Sequence, residues 1–196
     1  NYLLSFLQKR VDATDDACRF KHALDEILVV SELPQESCAS IDFTRPVDTW
    51  TGLDDLLQRL TGRYSSLLDV TVDGEEPDYL VWEAIDVPGT YGNSDLVPDA
   101  EHLCLAILMI EGVVRAAPTT NWDGLIESAV ERLAGDANAI LRVVSHQSEF
   151  LNSQARCDLI KFHGCAIKAG ADPDTHRQLL VARRSKISGW TANPDN

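Results

Sequence analysis

Apolar residues recur at helical spacing in the first half of the chain. One stripe runs through Phe20, Ala23, Leu24, Ile27 and Leu28, and a second through Val47, Trp50, Leu53, Leu56, Leu57 and Leu60. Both predict amphipathic helices whose stripes form core. Ser31 to Asp42, Asp73 to Asp78 and Pro88 to Asn93 are rich in breakers and read as loops. The second half alternates. Pro98-Asp99-Ala100-Glu101 opens a helix that is apolar on all sides through Ile110, predicts burial, and ends near Gly112. Val113 to Ala117 reads as a short strand, Pro118 to Gly124 as a loop, and Leu125, Ile126, Ala129, Val130 and Leu133 as a helix closed by Gly135. Ala139–Val144 and Cys157–Phe162 supply two more strands, the last ending at His163-Gly164, while 174–184 fits strand or helix equally.

Strands alternating with helices predict an α/β fold, a Rossmann-like parallel sheet with flanking helices and a helical N-terminal portion. The organisation expected is one domain, with a mostly helical portion at 1–97 and the sheet-bearing portion at 98–196. Ligands of such sheets sit beyond the carboxyl ends of the strands, where the Asn121 loop and His163 both emerge.

Charge narrows the partners. The net charge is -14, divided as -16 over residues 1–135 and +2 over 136–196. An acidic surface of this size repels phosphate backbones and anionic headgroups, so neither nucleic acid nor a membrane is an expected partner of this chain. Five scattered cysteines (Cys18, Cys38, Cys104, Cys157, Cys165) without any Cys-x-x-Cys point to reduced thiols and a cytoplasmic protein. The longest apolar run, Leu103 to Ile110, is too short to span a bilayer. The chain opens on Asn1 and its one methionine is Met109, so a piece of a longer protein is expected, with further domains and a homo-oligomer among its partners.

Thr119-Thr120-Asn121-Trp122-Asp123, followed about forty residues later by Lys161-Phe162-His163-Gly164, resembles the sirtuin family, and within it the bacterial NAD-cleaving, often anti-phage branch. Sirtuins carry a Thr-Gln-Asn-Ile-Asp loop and a His-Gly after a later strand. Thr119, Asn121 and Asp123 match the first motif, His163 and Gly164 match the second, and Thr120 replaces the glutamine. The resemblance covers roughly 98–190. It implies NAD as substrate, Asn121 and His163 as catalytic residues, and Thr119, Thr120, Asn121, Asp123 and Gly164 in contact with it.

The chemistry accounts for these residue types. Breaking the nicotinamide–ribose bond builds positive charge on the sugar, so the enzyme must hold sugar and leaving group and position a nucleophile. Asn121 can fix a ribose hydroxyl or water, and neutral His163 can accept a proton from either. Asp123 would accept from the nicotinamide carboxamide, as its counterpart does in sirtuins. Each has a plainer alternative: Asn121 or Asp123 as a cap for the following helix, His163 as a bonded structural histidine, Trp122 as packing against the sheet.

Other groupings carry less. His102 with Cys104 and His163 with Cys165 read as buried small residues on a helix and a strand, so no metal is expected. Ser145-His146-Gln147-Ser148 reads as loop, and Arg183-Arg184-Ser185-Lys186 as a solvated charge run. No Gly-x-Gly phosphate loop occurs, so on the sirtuin resemblance that loop is expected upstream of Asn1. The family's zinc ribbon of two Cys-x-x-Cys pairs is also missing. Its absence favours an NAD glycohydrolase serving as effector of a bacterial anti-phage protein over an NAD-dependent protein deacylase. A non-catalytic nucleotide-sensing or assembly domain is the third possibility.

Overall fold

The computed structural model describes residues 1–93, 95–151 and 155–192. The chain divides into two compact units, one of 1–86 with 182–196 and one of 87–181.

The first unit is helical. Its helices are α1 (Tyr2–Gln8), α2 (Arg19–Ser31), α3 (Gln35–Ala39), α4 (Leu53–Thr61) and α5 (Tyr64–Leu67), with a π-turn at Leu80–Ala84 and a closing helix at Arg184–Ala192. Leu3, Leu4 and Leu7 of α1 are buried, as are Ala23, Leu24, Ile27 and Leu28 of α2 and Leu56 and Leu60 of α4. The first expected stripe is therefore core. The second does not form one helix. Val47–Thr49 is a 3-10 turn, Trp50 is extended, and Gly52 adopts φ +77°, a left-handed conformation that ends one helix before α4 begins. The break turns Trp50 inward, where its Nε1 donates to the Arg45 carbonyl at 2.9 Å. Ser31–Asp42 is not wholly loop, because Pro34 starts the short α3. Arg183 and Ser185 do not belong to a solvated run either. Asp69 receives Arg183 Nε at 3.1 Å and the Ser185 hydroxyl at 2.5 Å.

The second unit holds the sheet. It contains α6 (Val87–Tyr91), α7 (Ala100–Ile110), β1 (Ala116–Thr119), α8 (Leu125–Ala134), β2 (Leu141–Val144), β3 (Cys157–Lys161), α9 (Ala166–Ala171) and α10 (Pro173–His176), with 3-10 turns at Gln147–Leu151 and Arg177–Leu179. All three strands run parallel in the order β1-β3-β2. A mixed α/β unit with a small parallel sheet flanked by helices is the architecture expected from the alternation. Beneath it lie Ala106, Met109, Ala129, Val130, Ile140, Leu141, Cys157 and Leu159, joining α7 and α8 to the sheet.

Several boundaries moved for physical reasons. Val113 and Val114 are not in β1: both N–H groups return to the Leu108 carbonyl and close α7. The strand starts later and takes in Pro118, which an edge strand tolerates. β2 starts at Leu141 because the N–H groups of Ile140 and Leu141 bond Ala137 O in a turn. Pro88 to Asn93 is not all loop, since Pro88 sits in the first turn of α6. α7 is not buried all round. Ala106 and Met109 face the core, whereas Ile107 and Leu108 are 49% and 42% exposed, because α7 packs against α8 on one side. Cys104, expected to be buried, is exposed on the same helix. The ambiguous stretch is helical up to Leu179, as α10 and the turn after it, and Leu180 beyond it is extended.

Candidate functional site

Parallel pairing of β1 with β3 sets the site's frame. Thr119 is registered with Lys161, and Phe162 N donates to Thr119 O at 3.0 Å, so both chains leave the sheet side by side at its carboxyl edge. Asn121 lies two residues beyond one strand end and His163 two beyond the other. The two motifs are thus brought to one edge of the sheet through adjacent strands.

Local bonds shape the Asn121 loop. The Thr119 hydroxyl accepts from Asn121 N at 3.0 Å, and Asp123 Oδ1 accepts from Leu125 N at 3.1 Å, at the start of α8. Asp123 stands one residue before the N-cap of α8, which is Gly124 and carries no side-chain cap bond, so it holds the first helical N–H without being the cap expected of it. Thr120 and Asn121 are exposed, and Thr119 and Asp123 are half-buried. Trp122 meets Tyr91 edge to face at 5.8 Å, and its carbonyl accepts from Ala166 N. Its ring contact is thus with α6, where packing against the sheet was expected.

The His163 side differs. His163 is half-buried, and burial lowers its pKa from the ordinary imidazole value, which favours the neutral ring. Its carbonyl accepts from Val181 N at 3.0 Å. Gly164 next to it has φ +87°, and a Cβ there would stand 2.7 Å from the Leu179 carbonyl oxygen. Gly164 is thereby required by both conformation and space. Gly164→Ala should lower stability by about 1–3 kcal/mol, read by thermal melting. Gly164→Asn, which eases only the backbone strain, should not restore it.

Between the two motifs lies a residue whose role the sequence reading missed. β3 alternates strictly in burial, with Cys157, Leu159 and Lys161 on the covered face. Lys161 is 1% exposed. Its Nζ donates to Asp123 O at 2.5 Å and Trp122 O at 3.5 Å, lies 2.5 Å from Glu127 Oε1, and is 3.7 Å from Cys165 Sγ. Lys161 fastens the Asn121 loop to the central strand. Both Glu127 carboxylate oxygens are buried and, among the described residues, accept no aligned hydrogen bond, so Oε1 meets the ammonium as an ion pair. The signal was present: a lysine in phase with the buried positions of an apolar strand demands a partner.

A second network orders the loop after β2. Arg142 grips Asp158 through two bonds of 2.9 and 2.7 Å and donates to Glu149 O at 3.0 Å. Glu149 pairs with Lys168 and accepts from Ser145 N at 2.7 Å and His146 N at 3.0 Å. Desolvation pushes the Glu149 carboxyl up, but Lys168 and these N–H donors outweigh it and leave its pKa lowered. The Ser145–Ser148 loop is held by this carboxylate.

A cleft of about 760 Å³ lies along β2, lined by Glu127, Ala139, Leu141, Arg142, Cys165 and Lys168 among others. Neither Asn121 nor His163 lines it. Among the described residues, no cluster of three or more His, Cys, Asp or Glu side chains could hold a metal, and no helix is long and apolar enough to cross a membrane. No family model, curated protein or solved structure matches this chain.

Proposed function

We propose that the protein is an NAD glycohydrolase that cleaves the nicotinamide–ribose bond at the carboxyl edge of a Rossmann-like sheet, as the sirtuin-like motifs imply. The observation that carries the reading is the Thr119–Lys161 register, which brings the Asn121 loop and His163 to one edge through neighbouring strands. His163, kept neutral by burial, accepts a proton from the attacking water or a ribose hydroxyl. Asn121 fixes the sugar or the water with the donor and acceptor of one short arm. The setting proposed is the cytoplasm, as effector domain of a bacterial anti-phage protein, with the five free cysteines consistent with a reducing compartment.

Nicotinamide release by the intact protein, with and without an acetyl-lysine peptide, tests this reading. Release that needs no peptide is expected. Strict dependence on the peptide would instead make the protein a deacylase.

The pH dependence follows from the histidine. Protonated imidazole cannot accept a proton, and burial moves its protonation to lower pH. The acid limb of kcat/KM for nicotinamide release should therefore lie below about 6.5, the ordinary histidine value, with full activity at neutral pH. A pH–rate profile checks this, and a limb above that value would contradict it.

One observation favours a second, non-catalytic reading. The Thr119 hydroxyl and Asp123 Oδ1 are both engaged with the backbone of their own loop. A motif kept only for its turn would tolerate Asp123→Asn, which caps about as well, and would show no nicotinamide release.

A further inference from the structure

Lys161, Glu127 and Cys165 form a buried cluster outside the roles given to Asn121 and His163. Lys161 is 1% exposed and Cys165 is likewise 1% exposed, yet Cys165 and Glu127 both line the cleft along β2. Lys161 Nζ stands 3.7 Å from Cys165 Sγ and 2.5 Å from Glu127 Oε1. A nucleophilic nitrogen, an oxidisable sulfur and a proton acceptor therefore meet at the wall of a cavity that a water-sized oxidant can enter.

We propose that Lys161 and Cys165 form a peroxide-responsive crosslink, a covalent bond between Nζ and Sγ that thiols reverse. Hydrogen peroxide oxidises the Cys165 thiol to sulfenic acid and is itself reduced to water. The Lys161 ammonium passes one proton to Glu127, and the freed Nζ lone pair attacks Sγ. The S–O bond breaks, and the departing hydroxide takes a second ammonium proton and leaves as water. The third Nζ–H remains on the new N–S bond and Glu127 gives up its proton to solvent, so relative to neutral thiol and amine the pair has lost two hydrogens. Two equivalents of an external thiol restore amine and thiol and become a disulfide. Crosslinking draws Nζ toward the sulfur and away from the carbonyls of Trp122 and Asp123, which it holds in the reduced protein.

The other cysteines do not share this environment. Desolvation, together with the Asp158 carboxylate, raises the Cys157 pKa and disfavours its thiolate. Cys104 is exposed on α7.

Trypsin reads the crosslink directly, because it does not cut after a lysine whose amine is substituted. The intact protein is treated with hydrogen peroxide, denatured without thiol, digested and weighed. The expected product spans Cys157 to Lys168 uncut at Lys161, lighter by two hydrogens than the same uncut sequence, and cut normally after dithiothreitol. It should persist in Cys157→Ala, which excludes a Cys157–Cys165 disulfide, and vanish in Cys165→Ala. Normal cleavage after Lys161 in peroxide-treated wild type would overturn the proposal, whether Cys165 is then unmodified, a sulfinic acid or a disulfide. The readout needs neither a lysine variant nor NAD.

Discussion

His163→Ala in the intact protein is expected to reduce nicotinamide release by about 10²–10⁴-fold, the usual contribution of a positioned general base. The substitution should leave the fold in place, since the ring is half-buried and the backbone bond from Val181 N to His163 O does not depend on it. Thermal melting separates the two effects. A loss of rate with an unchanged melting temperature supports a chemical role, whereas wild-type rates in a folded variant would remove His163 from the mechanism. Asn121→Ala should be comparably damaging, and its exposure makes any cost to stability small.

The largest expected effect on stability lies at Lys161. Lys161→Met removes the charge facing the buried Glu127 carboxylate and the donor shared by the Trp122 and Asp123 carbonyls. Removing one partner of a buried pair typically costs about 3–5 kcal/mol, because the other charge is left uncompensated. Glu127→Leu should also destabilise, by leaving the ammonium alone. Combining the two should recover much of the loss, since replacing a whole buried pair by apolar groups is often near neutral. Urea unfolding of the singles and the double reads the coupling directly. Losses below about 1 kcal/mol, typical of an exposed pair, would show that the cluster is solvated.

These two residues also show where sequence reasoning reached and where it stopped. The alternation of apolar runs and helical stripes was sufficient to anticipate a parallel sheet flanked by helices, because Cys157, Leu159 and the α8 stripe of Ala129 and Val130 report burial through periodicity. Boundaries were less legible. Whether Val113 and Val114 extend a strand or close a helix depends on their N–H groups returning to Leu108, which composition does not encode. The break at Gly52 and the one-sided burial of α7 are likewise tertiary outcomes: a stripe indicates that a helix has an apolar face, not that every face will find a neighbour.

The candidate site shows the same division. Asn121 and His163 could be placed at one sheet edge from strand order alone, whereas the cap expected at Asp123 falls one residue later, at Gly124, with Asp123 bonding only the first helical N–H. The Glu127–Lys161–Cys165 cluster could not be assembled from spacing. Its members lie on α8, on β3 and at the start of α9, and only the packing of those three elements brings them together. What the sequence did offer was a lysine in phase with Cys157 and Leu159, a local conflict that required a partner from elsewhere.

The central claim is that the Asn121 loop and His163 act as one site, and a double-variant cycle on nicotinamide release tests it most directly. Residues that serve one chemical step are strongly non-additive. The rate for Asn121→Ala combined with His163→Ala is expected to fall no further than the worse single variant. Losses that simply multiply, in proteins shown to be folded by melting, would contradict a shared site and separate the two motifs that the register of β1 and β3 brings to one edge.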